Sequence, residues 1–176
     1  MIIRFEVENF LSFNKKQSFS LIPSNNLKKK KEHYFVKNGV KLLRLSAIYG
    51  GNASGKTNFI KSIDFVRFIV LNKVPTDMTH SYFREINENQ DKPSKFEIEF
   101  IKNNSVYAYG IQVLCSRRKL ISEWLYKLYP ESDSEELLYE REWSGDSYNI
   151  EINKDIIMGD DRIRLEFVTA DIKKNE

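Results

Sequence analysis

Apolar and charged residues alternate one by one at the start of the chain. Ile3, Phe5 and Val7 are interleaved with Arg4, Glu6 and Glu8, and a period of two predicts a strand with one buried face. Residues 17–22 predict a second short strand, closed by the turn cluster Pro23-Ser24-Asn25-Asn26. Residues 42–49 are mostly apolar and predict a buried strand. From residue 55 to 71 the period lengthens. Phe59, Ile60, Ile63, Val66 and Val70 fall on one face, with Lys61 and Asp64 off it, which predicts an amphipathic helix. Residues 76–93 are polar and have no period. Alternation then returns at Phe96, Ile98 and Phe100, and residues 106–114, 121–129, 137–143 and 147–152 predict further strands. Turns at 102–105, at 130–136 and at Ser144-Gly145-Asp146 separate them, giving a run of hairpins. No internal repeat is present.

Composition narrows the class. The chain has 176 residues, 41% hydrophobic and 30% charged, enough for one domain or one lobe of a larger one. Its 28 Lys and Arg against 25 Asp and Glu leave +3, too small a charge to argue for nucleic acid by itself. Cys115 is the single cysteine, so no internal disulfide forms, and no Cys/His spacing suggests zinc. His33 and His80 read as surface residues. The first residues carry charges at once, unlike a signal peptide, and no run approaches the roughly 20 apolar residues of a membrane span. A cytoplasmic protein that does not enter a membrane is expected. Residues 28–31 are four lysines, read first as a solvated loop and second as a nucleic-acid contact. Arg117-Arg118-Lys119 reads as a hairpin tip. The aromatics Tyr107, Tyr109, Trp124, Tyr126, Tyr129, Tyr139 and Trp143 fit strand packing better than a base-stacking platform.

One motif carries chemistry. Gly50-Gly51-Asn52-Ala53-Ser54-Gly55-Lys56-Thr57 matches G-x-x-x-x-G-K-[ST] in full, between a predicted strand and a predicted helix. A triphosphate is densely negative and must be held without water. Backbone N–H groups of residues 51–57 can curl around it, and the helix start adds free N–H groups and a positive dipole end. Gly50 and Gly55 permit the backbone angles and the close approach that a Cβ would hinder. Lys56 is expected to reach the β- and γ-phosphates, and the Thr57 hydroxyl to ligate Mg²⁺. ATP with Mg²⁺ is the expected ligand. Gly50, Gly51, Asn52, Ala53, Ser54, Gly55, Lys56, Thr57 and Asn58 form the expected binding set, with Lys56 serving catalysis as well.

Beyond this loop, the opening MIIRFEVENFLSF, the stretch YGGNASGKTNFIKSI and the later ISEWLY carry a resemblance. The chain resembles the AAA-family ATPases of the abortive-infection (Rlo-type, AbiL-like) group, related to the ABC-type heads of RecF, SMC and OLD-nuclease proteins. The resemblance covers residue 1 to about 152. It implies an α/β P-loop NTPase fold: the N-terminal lobe of an ABC-type ATPase head, with a mixed sheet and an antiparallel β subdomain. On that division, residues 1–75 are the P-loop core lobe, 76–95 a polar connector, 96–155 the β-hairpin subdomain and 156–176 the start of the next segment. The resemblance also implies that Asn52 lies near the γ-phosphate and residues 12–16 near the base.

An ABC-type head also needs an acidic pair at the end of an apolar strand, to hold Mg²⁺ and prepare the attacking water. Residues 156–161 are short and broken by Gly159, and residues 165–171 carry Glu166 and Thr169 inside the run. Neither reads as that strand. Ser144-Gly145-Asp146 reads as a turn rather than as the ABC signature. The chain is therefore expected to be the N-terminal part of a longer head, binding ATP but turning it over poorly alone. The expected partners are the remainder of its own head or a complementary chain, a second head in a homo-oligomer, and an effector such as a nuclease in antiphage defence. The alternative is a half-subunit that binds nucleotide without hydrolysing it. A small kinase or GTPase fits less well: about fifty residues precede the loop, and Asn153-Lys154-Asp155 lacks the N-K-x-D spacing.

Overall fold

The computed structural model describes residues 1–24, 31–71 and 76–153. Strand β1 (Ile2–Glu8) turns Ile3, Phe5 and Val7 into the core. It pairs antiparallel with β2 (Gln17–Ser20) on one side and with β5 (Ser94–Lys102) on the other. The β1–β5 register sets Phe5 opposite Ile98 and Val7 opposite Phe96. The Met1 ammonium adds a hydrogen bond to the Ile101 carbonyl, 100 residues away. From β5 the chain runs as a meander through β6 (Ser105–Leu114), β7 (Lys119–Tyr129), β8 (Ser134–Trp143) and β9 (Tyr148–Ile152). The result is one seven-stranded sheet in the order β2-β1-β5-β6-β7-β8-β9. Two of its turns fall where the sequence places them, whereas β8 begins at Ser134, inside the turn expected over residues 130–136. Asn103 and Asn104 take positive φ between β5 and β6, and Gly145 does so between β8 and β9. Arg118 is a left-handed residue at the tip before β7.

A single long helix, α1 (Lys56–Leu71), packs on the sheet. Phe65, Val66 and Ile69 join Phe5, Val7, Phe10, Phe96, Ile111 and Val113 in the main core. The Phe10 ring sits 4.9 Å from Phe65 and 5.0 Å from Phe96, centroid to centroid. Burial of such rings is the main favourable term in folding this lobe. Across the sheet, a Cβ on Gly110 would lie 2.1 Å from the Trp124 ring, so only glycine lets the indole lie flat over β6.

Three expectations are corrected. The strand expected over residues 42–49 is cut short. β3 (Tyr34–Lys37) and β4 (Val40–Leu43) close into a separate hairpin at Asn38-Gly39, both with positive φ. Asn-Gly between apolar residues is a strong hairpin signal, and β4 ends where its partner ends. Beyond it Leu45 is 82% and Tyr49 89% exposed. Among the described residues no mixed sheet is formed, and every pairing is antiparallel. The buried face of α1 also differs. Ser62, Phe65, Val66 and Ile69 are buried, whereas Ile60 and Val70 are more than half exposed. The helix is apolar on several sides, so periodicity does not single out one face, and the rings of Phe10 and Phe96 select Phe65. The lysines at 28–30 and the segments 156–161 and 165–171 lie outside the described residues.

Candidate functional site

Residues 50–55 join the exposed segment 44–49 to the first residue of α1. Ala53 has φ 62° and Gly55 φ 91°, while Ser54 between them does not share the positive sign. Alternating backbone hand turns successive N–H groups toward one side and makes an anion-binding concavity. Phe59 N–H donates to the Gly55 carbonyl at 2.9 Å, the first intrahelical bond. The N–H groups of Lys56, Thr57 and Asn58 precede it and are those that a helix start leaves without a helical acceptor. Positive dipole, free amides and concavity therefore coincide at one point.

The Lys56 ammonium closes this point. Nζ donates to the Gly50 carbonyl at 2.7 Å, to the Gly51 carbonyl at 2.6 Å and to Ser54 Oγ at 3.3 Å. The Ser54 side chain is folded over Gly50, where a Cβ would stand 2.4 Å from its Oγ. Gly50, Gly51, Asn52, Ala53, Ser54 and Thr57 are exposed, and Gly55 and Lys56 are half-buried. A cavity of about 250 Å³ opens beside the loop, lined by Phe13, Gln17, Phe19, Tyr49, Lys56 and Phe59 among others. A larger cavity, about 820 Å³, lies elsewhere, between the β3–β4 hairpin and the sheet, with Val40, Val106 and Leu128 in its walls. No residue of α1 lines it, so it lacks the helix start that favours an anion.

Asn58 is tied to the turn after β1. Its Nδ2 donates to Ser12 Oγ at 3.1 Å. Gly55 is pressed against the same turn: a Cβ there would meet Ser12 Oγ at 2.9 Å and the Phe13 ring at 3.5 Å. Of residues 12–16, Ser12 and Phe13 thus stand at the loop. Lys16 pairs with Glu6 instead, and this hydrogen bond raises the ammonium above its ordinary value.

Sequence reasoning gave Asn9 no role, yet it organises this region. It is buried and takes φ 51°, a conformation Asn tolerates better than most residues. Its Nδ2 donates to the carbonyls of Asn89 and Lys92, both at 2.9 Å, and its Oδ1 accepts from Phe83 N–H at 3.2 Å. Ser94 Oγ donates to its main-chain carbonyl, and Leu11 N–H donates to the Ser81 carbonyl at 2.6 Å. The turn after β1 thereby fastens the connector to the sheet.

Other polar clusters stand apart from the loop. Tyr109 donates to Glu123, whose carboxylate also pairs with Arg141 at 2.7 Å. Burial, with Glu123 beside it, pushes the Tyr109 phenol far above its usual range. Among the described residues no group of three or more His, Cys, Asp or Glu gathers as a metal site. At the loop, Thr57 offers a hydroxyl oxygen of the kind Mg²⁺ accepts. No helix among the described residues is long and apolar enough to cross a membrane.

Residues 45–167 match the family model described as "AAA domain, putative AbiEii toxin, Type IV TA system". The match takes in the loop, α1 and the whole meander. No curated protein matches the chain.

Proposed function

The chain belongs to this AAA-domain family, which is ATPase-like and nucleotide-binding, and on that premise we propose that residues 50–57 hold the phosphates of ATP with Mg²⁺. The observation that carries this reading is the Lys56 ammonium, bound by the Gly50 and Gly51 carbonyls at the head of α1. It places a positive charge beside free amides where a triphosphate needs both. Gly51, Asn52, Ala53, Ser54 and Gly55 supply backbone N–H groups. Lys56 exchanges a loop acceptor for a phosphate oxygen, and Thr57 supplies a ligand to Mg²⁺. In the transition state the same lysine stabilises charge on the transferred group.

Hydrolysis by the complete head needs an acidic residue to hold Mg²⁺ and orient water. We assign that residue to the remainder of the head or to a complementary chain. Leu45, Ile48 and Tyr49 ahead of the loop and Ile60 and Leu71 on α1 are exposed apolar residues, and contiguous apolar surface favours a covering layer. Strands that paired with residues 44–49 would supply it. The same observation favours the second reading, a half-subunit that binds nucleotide without hydrolysing it and waits for a partner. The family's toxin–antitoxin description supports a role in abortive infection and antiphage defence. We further propose that ATPase heads pair as a homo-oligomer, with an effector such as a nuclease downstream.

Calorimetric titration with Mg·ATP, beside Lys56→Ala, tests the site, with phosphate release assayed in the same samples. Binding that requires Lys56, with little turnover, is expected. Equal binding by the variant would remove the loop from the reading, and steady Lys56-dependent hydrolysis by this chain would remove the need for a partner.

A further inference from the structure

We propose that Ser12 is a positioning residue for the phosphate loop, holding the head of α1 in place through Asn58; the consequence for nucleotide rests on the reading above. Among the described residues, the Asn58–Ser12 hydrogen bond is the one that ties residues 50–58 to any other part of the chain; the loop's remaining bonds are internal. On the loop's other flank, residues 45–49 are exposed, and the segment is tied down only at Arg44, whose N–H donates to the His33 carbonyl. The head of α1 is therefore held by one polar tie, at Ser12, and by the packing of Phe59.

That side is rigid. Phe10 and Phe13 exchange backbone hydrogen bonds at 3.0 and 2.9 Å, and Leu11 between them takes φ 50°. Phe10 is fully buried against Phe65 and Phe96. Asn9 fixes the start of the turn to the connector at three backbone positions. Ser12 thus projects its hydroxyl from an over-determined turn to a helix start whose other anchor is the packing of Phe59 on the Phe5 and Phe19 rings. The contact with Gly55 is close enough to exclude any Cβ, so the wedge acts at the left-handed residue that aims the loop amides. A phosphate cradle binds best when its donors are aligned before the ligand arrives, since ordering them later costs affinity. Ser12 touches no phosphate in this scheme; it keeps the donors of residues 55–58 in register.

The test is a double-mutant cycle in the full chain with Ser12→Ala, Asn58→Ala and both, plus Ser12→Thr as the conservative variant. Two quantities are read: ligand-free amide exchange at residues 59–63, the first hydrogen-bonded amides of α1, and affinity for Mg·ATP. Ser12→Ala is expected to speed exchange at these amides, while those of Leu11 and Phe83, on the far side of the turn, keep their rates. Mg·ATP binding should weaken on the order of fivefold, the scale of one lost hydrogen bond. Asn58→Ala should match it, the double variant should be no worse than either, and Ser12→Thr should restore both quantities. Unchanged exchange in Ser12→Ala, or single effects that multiply in the double variant, overturns the proposal. If the wild-type chain binds no ATP, the functional reading falls, and the exchange measurement still decides whether Ser12 holds the loop.

Discussion

Residues 44–49 and strand β6 are both rich in apolar side chains, yet the chain treats them oppositely. β6 lies between β5 and β7, hydrogen-bonded on both edges, with Ile111 and Val113 fully buried. Among the described residues no strand pairs with residues 45–49, and Leu45 and Tyr49 stand in solvent. A run of apolar residues predicts a strand only on the assumption that partners exist, because backbone N–H and C=O groups need acceptors and donors. The meander carries its partners in neighbouring sequence. The segment ahead of the loop does not.

The sharpest way to break this comparison is to empty each region in turn and measure thermal unfolding. Phe96→Ala, beneath α1, should cost about 3–5 kcal/mol as a large-to-small core change. A cost under about 1 kcal/mol would mean that the sheet–helix core is not what holds the fold. Asn9→Ala should follow. It strands the Asn89 and Lys92 carbonyls and the Phe83 amide and loses a residue suited to positive φ, so about 1–3 kcal/mol is expected, with the connector exchanging faster. Gly110→Ala should cost a similar 1–3 kcal/mol, roughly that of overpacking, and should shift Trp124 fluorescence as the ring leaves β6. Unchanged emission would place the indole elsewhere.

Glu97 gives a smaller effect with a pH signature. Partial burial first, and then the neighbouring Glu6 and Glu99 carboxylates, hold its carboxyl above the ordinary value. The folded state therefore binds this proton more tightly than the unfolded chain. Stability is lost as pH rises from the unfolded carboxylate value, about 4.3, through the raised one. Glu97→Gln should raise the melting temperature at pH 7 and leave it unchanged at pH 3. A gain that persists at pH 3 would assign the effect to packing instead. The smallest change is expected from Leu45→Ser, within about 0.5 kcal/mol for an exposed site. A loss above 1 kcal/mol would show that this segment is covered in solution.

Much of the fold was legible in residue pattern, for reasons these regions explain. The meander is built of adjacent hairpins, so alternation and turn residues report directly on the structure, as at Asn103-Asn104 and Gly145. The motif at residues 50–57 was legible as a motif because the chemistry proposed for it demands particular residues at fixed spacing. The hairpin at Asn38-Gly39 was equally available in the sequence, but the apolar run that follows masked it. The buried face of α1 was not legible, since Ile60, Val70 and Leu71 compete with Phe65 and Ile69, and the choice is made by Phe10 and Phe96 across the core. Asn9 and Ser12 act through contacts distant in sequence, on Asn89, Lys92 and Asn58, which no local pattern reveals.

The pairing of β1 with β5 has a consequence for synthesis. The Met1 ammonium finds its acceptor at Ile101, 100 residues downstream. At about 5–20 residues per second, the first strand leaves the ribosome roughly 5–20 s before β5, the second of its two partners. During that interval β1, the phosphate loop and α1 are already made, with Phe5, Phe10 and Phe65 lacking the wall that later covers them. Once β5 emerges, the meander can extend by local hairpins, whereas insertion of β1 must close a long loop. Residues 50–57 are thus made early, whereas the strands that seat α1, with Phe96, Ile111 and Val113, come later.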